Sequence, residues 1–130
     1  MLKKAKFYVK EAGLRIKYKM TKDCIFCKMV AGEIKVKPVF ENDKVLAIFD
    51  INPVASTHVL VIPKRHIESV LTVNSKDCDD VIAMFEATQK IAGKLGLEAF
   101  RFAFNAGTFQ HVPHLHGHIV SGGKVEWNKL

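Results

Sequence analysis

The sequence is poor in cysteine and has no long apolar run. Its three cysteines, Cys24, Cys27 and Cys78, are an odd number, which excludes a complete framework of intramolecular disulfides. No stretch approaches the roughly 18–20 consecutive apolar residues of a membrane helix, and the N-terminus lacks the apolar core of a secretory signal. With 130 residues, 48% apolar and 25% charged, the chain fits one globular domain. We therefore expect a cytoplasmic protein with reduced thiols.

Most of the chain also lacks excess charge, although the formal net charge is +7. Residues 1–19 hold seven basic residues against one acidic residue, Glu11, so they carry +6 and leave +1 for the rest. The basic residues are Lys3, Lys4, Lys6, Lys10, Arg15, Lys17 and Lys19. A nearly neutral remainder argues against a sequence-reading nucleic-acid surface. We predict a flexible basic arm at 1–19 and a folded domain at 20–130; an upstream extension before Met20 or an organelle-targeting segment are the alternatives.

The pattern of apolar residues predicts an antiparallel α+β domain with one short and one long helix. Residues 23–34 carry apolar residues at helical spacing, residues 38–50 read as a hairpin, and residues 58–64 read as a strand. The long helix begins near Asn74 or Ser75, ends at Gly96, and has a predicted buried stripe. The stripe comprises Cys78, Val81, Phe85, Ala92 and Leu95, so Cys78 is expected to be a small buried side chain. Phe100, Phe102 and Phe104 alternate on one face of a further strand.

Glycine-rich phosphate loops are missing as well, whereas histidine is concentrated in one segment. His114, His116 and His118 occupy every second position, so an extended strand would place their rings on one side, roughly 6–7 Å apart. Neutral imidazole is a nucleophile that also serves as an acid, base or hydrogen-bond donor near neutral pH. A merely polar sheet face, or a metallohydrolase whose metal is held by the three histidines, are the competing interpretations.

The segment "HLHGHIV", preceded by "FNAG" and "QHVP", resembles the signature of the histidine triad (HIT) family, and residues 23–127 resemble its branch of small nucleotide-binding proteins. The resemblance implies a homodimer whose antiparallel sheet continues from one protomer to the other. It also implies hydrolysis of purine nucleoside phosphoramidates or adenylated amines at the α-phosphate through a nucleotidyl-histidine intermediate. A dinucleoside polyphosphate hydrolase, a nucleotidyl transferase and a non-catalytic zinc-stabilised nucleotide-binding module remain open.

The resemblance also assigns roles to individual residues. His116 is the expected nucleophile, His118 contacts phosphate, His114 orients His116, and His58 is a fourth histidine beside the triad. The expected nucleotide-binding residues are Phe26, Met29, Ile34 and Phe49 for the base, Asp50 and Ile51 for the ribose, and Asn105, Gln110, His111, His116 and His118 for the phosphate. Trp127 is expected to reach the partner subunit. Gly117 and His111 depart from the family pattern, since relatives usually carry a larger apolar residue and a small hydroxyl residue there.

The Cys24-x-x-Cys27 pair forms half of a typical zinc site, because such sites need four ligands. The resemblance supplies His66 and His114 as the other two ligands of a structural zinc. Two reduced thiols without metal are the alternative, and a redox dithiol is disfavoured because no thioredoxin-like βαβ pattern surrounds the pair. No catalytic cofactor is expected.

Overall fold

The computed structural model describes the backbone of residues 4–9 and 15–20 and the whole of residues 23–130. The two N-terminal segments are the strands β1 (Lys4–Val9) and β2 (Arg15–Met20), paired antiparallel from Lys4 opposite Met20 to Val9 opposite Arg15. The predicted flexibility of residues 1–19 and their boundary with the folded domain stay predictions, since residues 1–3, 10–14 and 21–22 lie outside the described part of the chain. Within that part, no helix has the length and apolar character needed to span a membrane.

The domain is a five-stranded antiparallel sheet with a short and a long helix, which confirms the predicted α+β class. The helices are α1 (Ile25–Ala31) and α2 (Cys78–Leu95). The strands are β3 (Phe40–Glu41), β4 (Val45–Phe49), β5 (Thr57–Pro63), β6 (Arg101–Phe104) and β7 (Gly117–Ser121). They lie in the order β3-β4-β5-β7-β6, so the later strand β7 inserts between β5 and β6.

Both faces of the sheet are covered, which explains why β4 and β5 are apolar at nearly every position. Alternate side chains, Val45, Ala47, Val59 and Val61, join the core on the α2 side. The residues between them, Leu46, Ile48, Leu60 and Ile62, join a second core with α1. Since His58 follows the same alternation as Leu60, it lies on the α1 side. The histidines therefore lie on the same face of the sheet as α1, the helix that carries the cysteine pair.

The long helix is capped as predicted, and its buried stripe agrees only in part with the predicted one. Asn74 and Asp77 form a reciprocal capping box before it, and Gly96 ends it in the left-handed conformation with φ 66°. Its buried residues include Ala83, Met84, Ala87, Thr88, Ile91 and Ala92. Of the predicted stripe, Ala92 is buried and Leu95 packs against the core. The prediction was wrong for Cys78, which is exposed in the first turn, and for Phe85, which is 48% exposed. Ala83, Met84, Ala87 and Ile91 face the sheet instead.

The glycine between the last two histidines makes room for an aromatic ring. A Cβ built on Gly117 would lie 2.2 Å from Phe102 Cε1 and 2.4 Å from its Cζ. Phe102 in turn packs edge-on against Phe85 of α2 at 5.3 Å and against Phe104 at 4.9 Å between centroids. Phe102 and Phe104 therefore share one face of β6, as predicted, and this is the face that packs against α2. The space behind the histidine segment is thus filled by side chains, not by a neighbouring backbone.

We predict that Gly117→Val destabilises the protein by about 1–3 kcal/mol, because the new side chain overlaps the Phe102 ring. Adding Phe102→Ala should relieve the overlap, so the double variant should cost at least about 0.5 kcal/mol less than the two single costs combined. Urea unfolding measures these free energies.

Gly93→Ala is the matched control, since its added Cβ meets nothing within 4 Å in the described structure and the site lies inside α2. It should stabilise the protein by about 0.5–1 kcal/mol. Strictly additive costs for Gly117→Val and Phe102→Ala would contradict the packing described for this pair.

Candidate active site

Only the last part of the histidine segment is a strand, and this strand begins later than the sequence predicts. Only His118 lies in β7, between Leu60 of β5 and Ala103 of β6, whereas His114 and His116 precede the strand. Residues 111–114 form a bend before the strand, and the Leu115 N–H donates to the Ile67 carbonyl at 2.6 Å. The predicted alternation survives: Leu115 and Ile119 join the α2-side core, and the three histidines are buried away from it.

The His116 ring is held by the backbone two residues earlier. Its Nδ1 lies 2.8 Å from the His114 carbonyl oxygen. A carbonyl oxygen only accepts hydrogen bonds, so Nδ1 carries the proton and Nε2 of the neutral ring keeps its lone pair. Burial lowers the pKa of His116 below the usual 6.5, which favours this neutral form. The side chain is therefore oriented and protonated as a nucleophile requires.

The His118 ring stands next to His116, with 5.0 Å between centroids. Its Nδ1 lies 2.9 Å from His58 Nε2, while its own Nε2 is buried without a hydrogen-bond partner among the described residues. Burial, and then the charges of the neighbouring histidines, lower the pKa of His118 to about 3. Asn105 follows β6 two residues after Ala103, the residue that pairs with His118. Its buried Nδ2 likewise finds no partner in residues 23–130.

Asp50 closes this site on the β4 side. Its Oδ1 accepts the Asn52 N–H at 2.8 Å, which is the hydrogen bond of an Asx turn. Its Oδ2 lies 3.5 Å from His58 Nε2. The carboxylate is thus both a turn former and a neighbour of the histidine cluster.

The residues predicted around the base occupy two different environments. Phe26 is buried and meets the His114 and His116 rings edge-on at 5.7 and 5.0 Å. Met29 packs on the α1-side core, and Ile34 is half-buried. Phe49 and Ile51 are instead 54% and 91% exposed.

The two predicted phosphate-binding residues of the loop before the triad, Gln110 and His111, also occupy different environments. Gln110 Nε2 donates to the carbonyls of Glu68 and Val112, both at 2.9 Å, so this amide nitrogen braces the loop. His111 is exposed, and its charge contributes to the lowered pKa of both His116 and His118. Trp127 is 45% exposed and lies over Arg101 at 5.2 Å, an interaction that was not predicted.

A second group of buried side chains could hold a metal ion, as predicted. The ligand atoms of Cys24, Cys27, His66 and His114 all lie within 4.8 Å of one another. His114 Nδ1 is 3.3 Å from Cys24 Sγ and 3.6 Å from Cys27 Sγ, and Cys27 Sγ is 3.2 Å from His66 Nδ1. Tetrahedral zinc with ordinary bond lengths separates sulfur and nitrogen ligands by about 3.6 Å. The four residues therefore fit such an ion.

Hydrogen bonds in and around this cluster favour the metal-binding forms of its ligands. His114 Nε2 donates to the Pro63 carbonyl at 2.8 Å, which leaves the Nδ1 lone pair facing the sulfurs. Hydrogen bonding from the Cys27 side chain, followed by that from His114, lowers the pKa of the Cys24 thiol despite its burial. A lowered thiol pKa favours the thiolate, which is the metal-binding form. The metal-ligand groups of the described residues take His114 with the two cysteines and His118 with Asp50 and His58; none of them joins the three triad rings.

Three supporting groups were missed by the sequence analysis. Two are backbone atoms, the Val54 amide near His58 and the Pro63 carbonyl, and no side-chain motif reveals them. The third is Arg65, next to His66, whose Nε donates to Asp80 Oδ2 at 2.9 Å and whose NH2 group donates to Asp77. The adjacent Arg65 and the acidic first turn of α2 were the available signal. This ion pair ties the His66 loop to α2.

Comparison of the sequence with known proteins identifies the family to which the chain belongs. The family model described as "Scavenger mRNA decapping enzyme C-term binding" matches residues 23–129. An uncharacterized HIT-like protein of Methanocaldococcus jannaschii is 38% identical over 99 residues, which are 75% of this chain and 77% of that protein. The chain belongs to the histidine triad family.

Solved structures of other histidine triad proteins have the same fold. A histidine triad protein from Clostridium difficile matches with a TM-score of 0.76 and 43% identity over 82% of this chain and 96% of its own. A HIT family hydrolase from Legionella pneumophila matches with a TM-score of 0.76 and 37% identity over 83% and 100% of the two chains. Among named relatives, the adenosine 5'-monophosphoramidase hnt1 of Schizosaccharomyces pombe is 34% identical over 106 residues, 80% of this chain and 77% of that protein.

We predict that this histidine triad protein binds one equivalent of Co²⁺ or Zn²⁺ through the cysteine–histidine cluster. Co²⁺ should give the sulfur charge-transfer and tetrahedral absorption bands of a thiolate site, and the metal should raise the free energy of unfolding. Cys24→Ser or Cys27→Ser should abolish these bands and this stabilisation.

Cys78→Ser is the matched control, because Cys78 is exposed and outside the cluster. It should bind the metal as the unaltered chain does. Unchanged cobalt spectra in Cys24→Ser, or equal losses in Cys78→Ser, would contradict the assignment.

Proposed function

We propose that this protein is a hydrolase of purine nucleoside phosphoramidates or adenylated amines and releases the nucleoside monophosphate. One observation carries the proposal: the His116 ring, with its Nε2 lone pair, stands 5.0 Å between centroids from the His118 ring, and two buried nitrogens, His118 Nε2 and Asn105 Nδ2, lack partners in the described protein. Buried donors without partners are costly, and an anion with oxygen acceptors satisfies them. The relative named adenosine 5'-monophosphoramidase supports the same reaction class.

The first step is nucleophilic displacement at the α-phosphorus. His116 Nε2 forms a bond to phosphorus while the bond from phosphorus to the amine nitrogen breaks, giving a nucleotidyl-histidine. The His118 and Asn105 donors stabilise the charge on the non-bridging oxygens. The departing amine takes up a proton, and His111 is the exposed imidazole near the triad that is suited to supply it.

The second step returns the enzyme. A water molecule attacks phosphorus, the bond between phosphorus and Nε2 breaks, and the nucleoside monophosphate leaves. The water proton passes to a base such as neutral His111, which restores the group that the first step used. The His114 carbonyl holds the His116 ring in one orientation through both displacements.

The nucleoside lies along the face that carries Phe26 and Asp50. Phe26 contacts the His116 ring and Met29 packs on the same core, and we assign these two residues, with Ile34 and the exposed Phe49, to the base. Asp50 accepts the ribose hydroxyls, since each carboxylate oxygen has two lone pairs and Oδ1 uses one for Asn52. Ile51 and Gln110 complete the pocket. Exposed apolar side chains at such a site are a typical platform for a flat base.

The cysteine–histidine cluster holds a structural zinc. Cys24, Cys27, His66 and His114 supply four ligands, which leave no open position for substrate. A bound ion would cross-link α1, the loop after β5 and the triad segment. The chain's own residues carry out the chemistry.

The active form is a homodimer whose sheets join. β6 is an edge strand, and exposed apolar side chains surround it, including Phe100 (39% exposed), Phe85 (48%) and Trp127 (45%). Unpaired strand edges and apolar patches of this kind favour association. Trp127 is then placed to reach the partner's site.

Sedimentation should give twice the 14.6 kDa of one chain.

We predict that His116→Ala reduces kcat for an adenosine phosphoramidate by at least about 10³-fold, because no other group replaces the nucleophile. Adenosine monophosphate should still bind with a Kd within about threefold of the unaltered protein, which isothermal titration calorimetry measures.

The cobalt spectrum and the urea midpoint of His116→Ala test whether the variant keeps its fold. We expect it to do so, because the partner of the His116 ring, the His114 carbonyl, is a backbone atom that the substitution leaves in place. Turnover that survives in the folded variant would contradict the nucleophile assignment. Binding of the monophosphate without any turnover by the unaltered protein would instead indicate a nucleotide-binding module.

A further inference from the structure

Asp50, His58 and His118 form a second group of possible ligand atoms, all within 4.8 Å of one another. Two interpretations fit these distances. The three side chains could hold a cation, or they could form a chain of hydrogen bonds. The backbone around His58 distinguishes them.

The amide of Val54 determines which ring nitrogen of His58 carries the proton. This N–H donates to His58 Nδ1 at 3.2 Å, and a backbone amide cannot act as an acceptor here. His58 Nδ1 must therefore carry a lone pair, which puts the single proton of the neutral ring on Nε2. A cation bound at Nε2 would move this proton to Nδ1, where it would face the amide hydrogen. Burial lowers the pKa of His58, which disfavours the doubly protonated ring.

The proton on His58 then determines the proton on His118. His58 Nε2 lies 2.9 Å from His118 Nδ1 and 3.5 Å from Asp50 Oδ2, so His118 is the nearer acceptor. Accepting this bond requires a lone pair on His118 Nδ1, and the proton of neutral His118 moves to Nε2. That nitrogen is the buried donor without a partner in the described chain, on a side chain only 4% exposed.

We propose that His58 is a positioning residue. Because it accepts a hydrogen bond from the Val54 amide, it donates one to His118 and holds His118 in the Nε2–H tautomer. The inference rests on the proposed function, because the locked N–H is the group that meets the phosphate. In the other tautomer, His118 would turn a lone pair toward the phosphate oxygens and repel them. The lock therefore prepares the site before any substrate binds.

Nitrogen NMR of the full-length, metal-loaded chain with ¹⁵N-labelled histidine tests the proposal without substrate. In the unaltered protein, His118 Nε2 should be protonated and Nδ1 should not. His58→Phe should remove the donor and give His118 a substantial Nδ1–H population. His58→Gln should keep the Nε2–H tautomer, because its carboxamide can accept from Val54 and donate to His118. His111→Phe is the control for losing a nearby histidine and should leave the His118 tautomer unchanged.

Kinetics supply a second measurement that a purely structural role would not move. His58→Phe should lower kcat for the phosphoramidate by about 10- to 10³-fold while KM changes less, since a wrong tautomer weakens the transition state more than the ground state. His58→Gln should recover most of the loss.

An Nδ1–H tautomer of His118 in the unaltered protein would overturn the proposal, whether or not the variants fold. So would an unchanged tautomer and kcat in folded His58→Phe. If the phosphoramidate is not turned over at all, the proposed function fails, while the NMR result still decides the tautomer lock.

Discussion

The hydrogen bond from His116 Nδ1 to the His114 carbonyl is the interaction on which the site depends. It presents the lone pair of Nε2 and removes the other ring position from reaction. The carbonyl can do this because His114 is itself fixed: its ring donates to Pro63 and faces the two cysteines. The metal-ligand cluster and the proposed nucleophile are therefore neighbours through a single residue. Rigid support of this kind keeps a reactive group within the narrow geometry that catalysis requires.

The sheet explains why this support exists. Its two faces are buried against different helices, so the alternation of one extended segment sends Leu115 and Ile119 to one core and the histidines to the other side. Leu60 and Ile62 on the neighbouring strand continue the core on the α1 side and exclude water around the rings. That burial lowers the pKa of His116, His118 and His58 together, which keeps three close imidazoles neutral and avoids mutual repulsion.

Much of this could be predicted from the sequence, because it depends on local pattern. The cysteine helix, the hairpin, the capped long helix and the Cys24–Cys27 half of the metal-ligand cluster follow from short-range spacing, whereas His66 and His114 came from the family resemblance because they lie far from the cysteines in the sequence. Cys78 and Phe85 were predicted incorrectly to lie in the buried stripe, because the pattern overlooked Ala83 and Ala87, which face the sheet one helical turn apart. The start of β7 depends on pairing with distant strands. The direction of the Val54 amide is a backbone property that residue types do not encode.

The proposed mechanism requires a covalent bond between His116 and phosphorus. This bond can be detected by rapid mixing with an adenosine phosphoramidate, followed by intact-mass analysis without acid and peptide mapping. We expect a transient mass increase equal to one adenylyl group, located on the peptide that contains His116 and released by water as the monophosphate. Turnover at the full rate with no adduct, or an adduct on a different residue, would contradict the proposed mechanism.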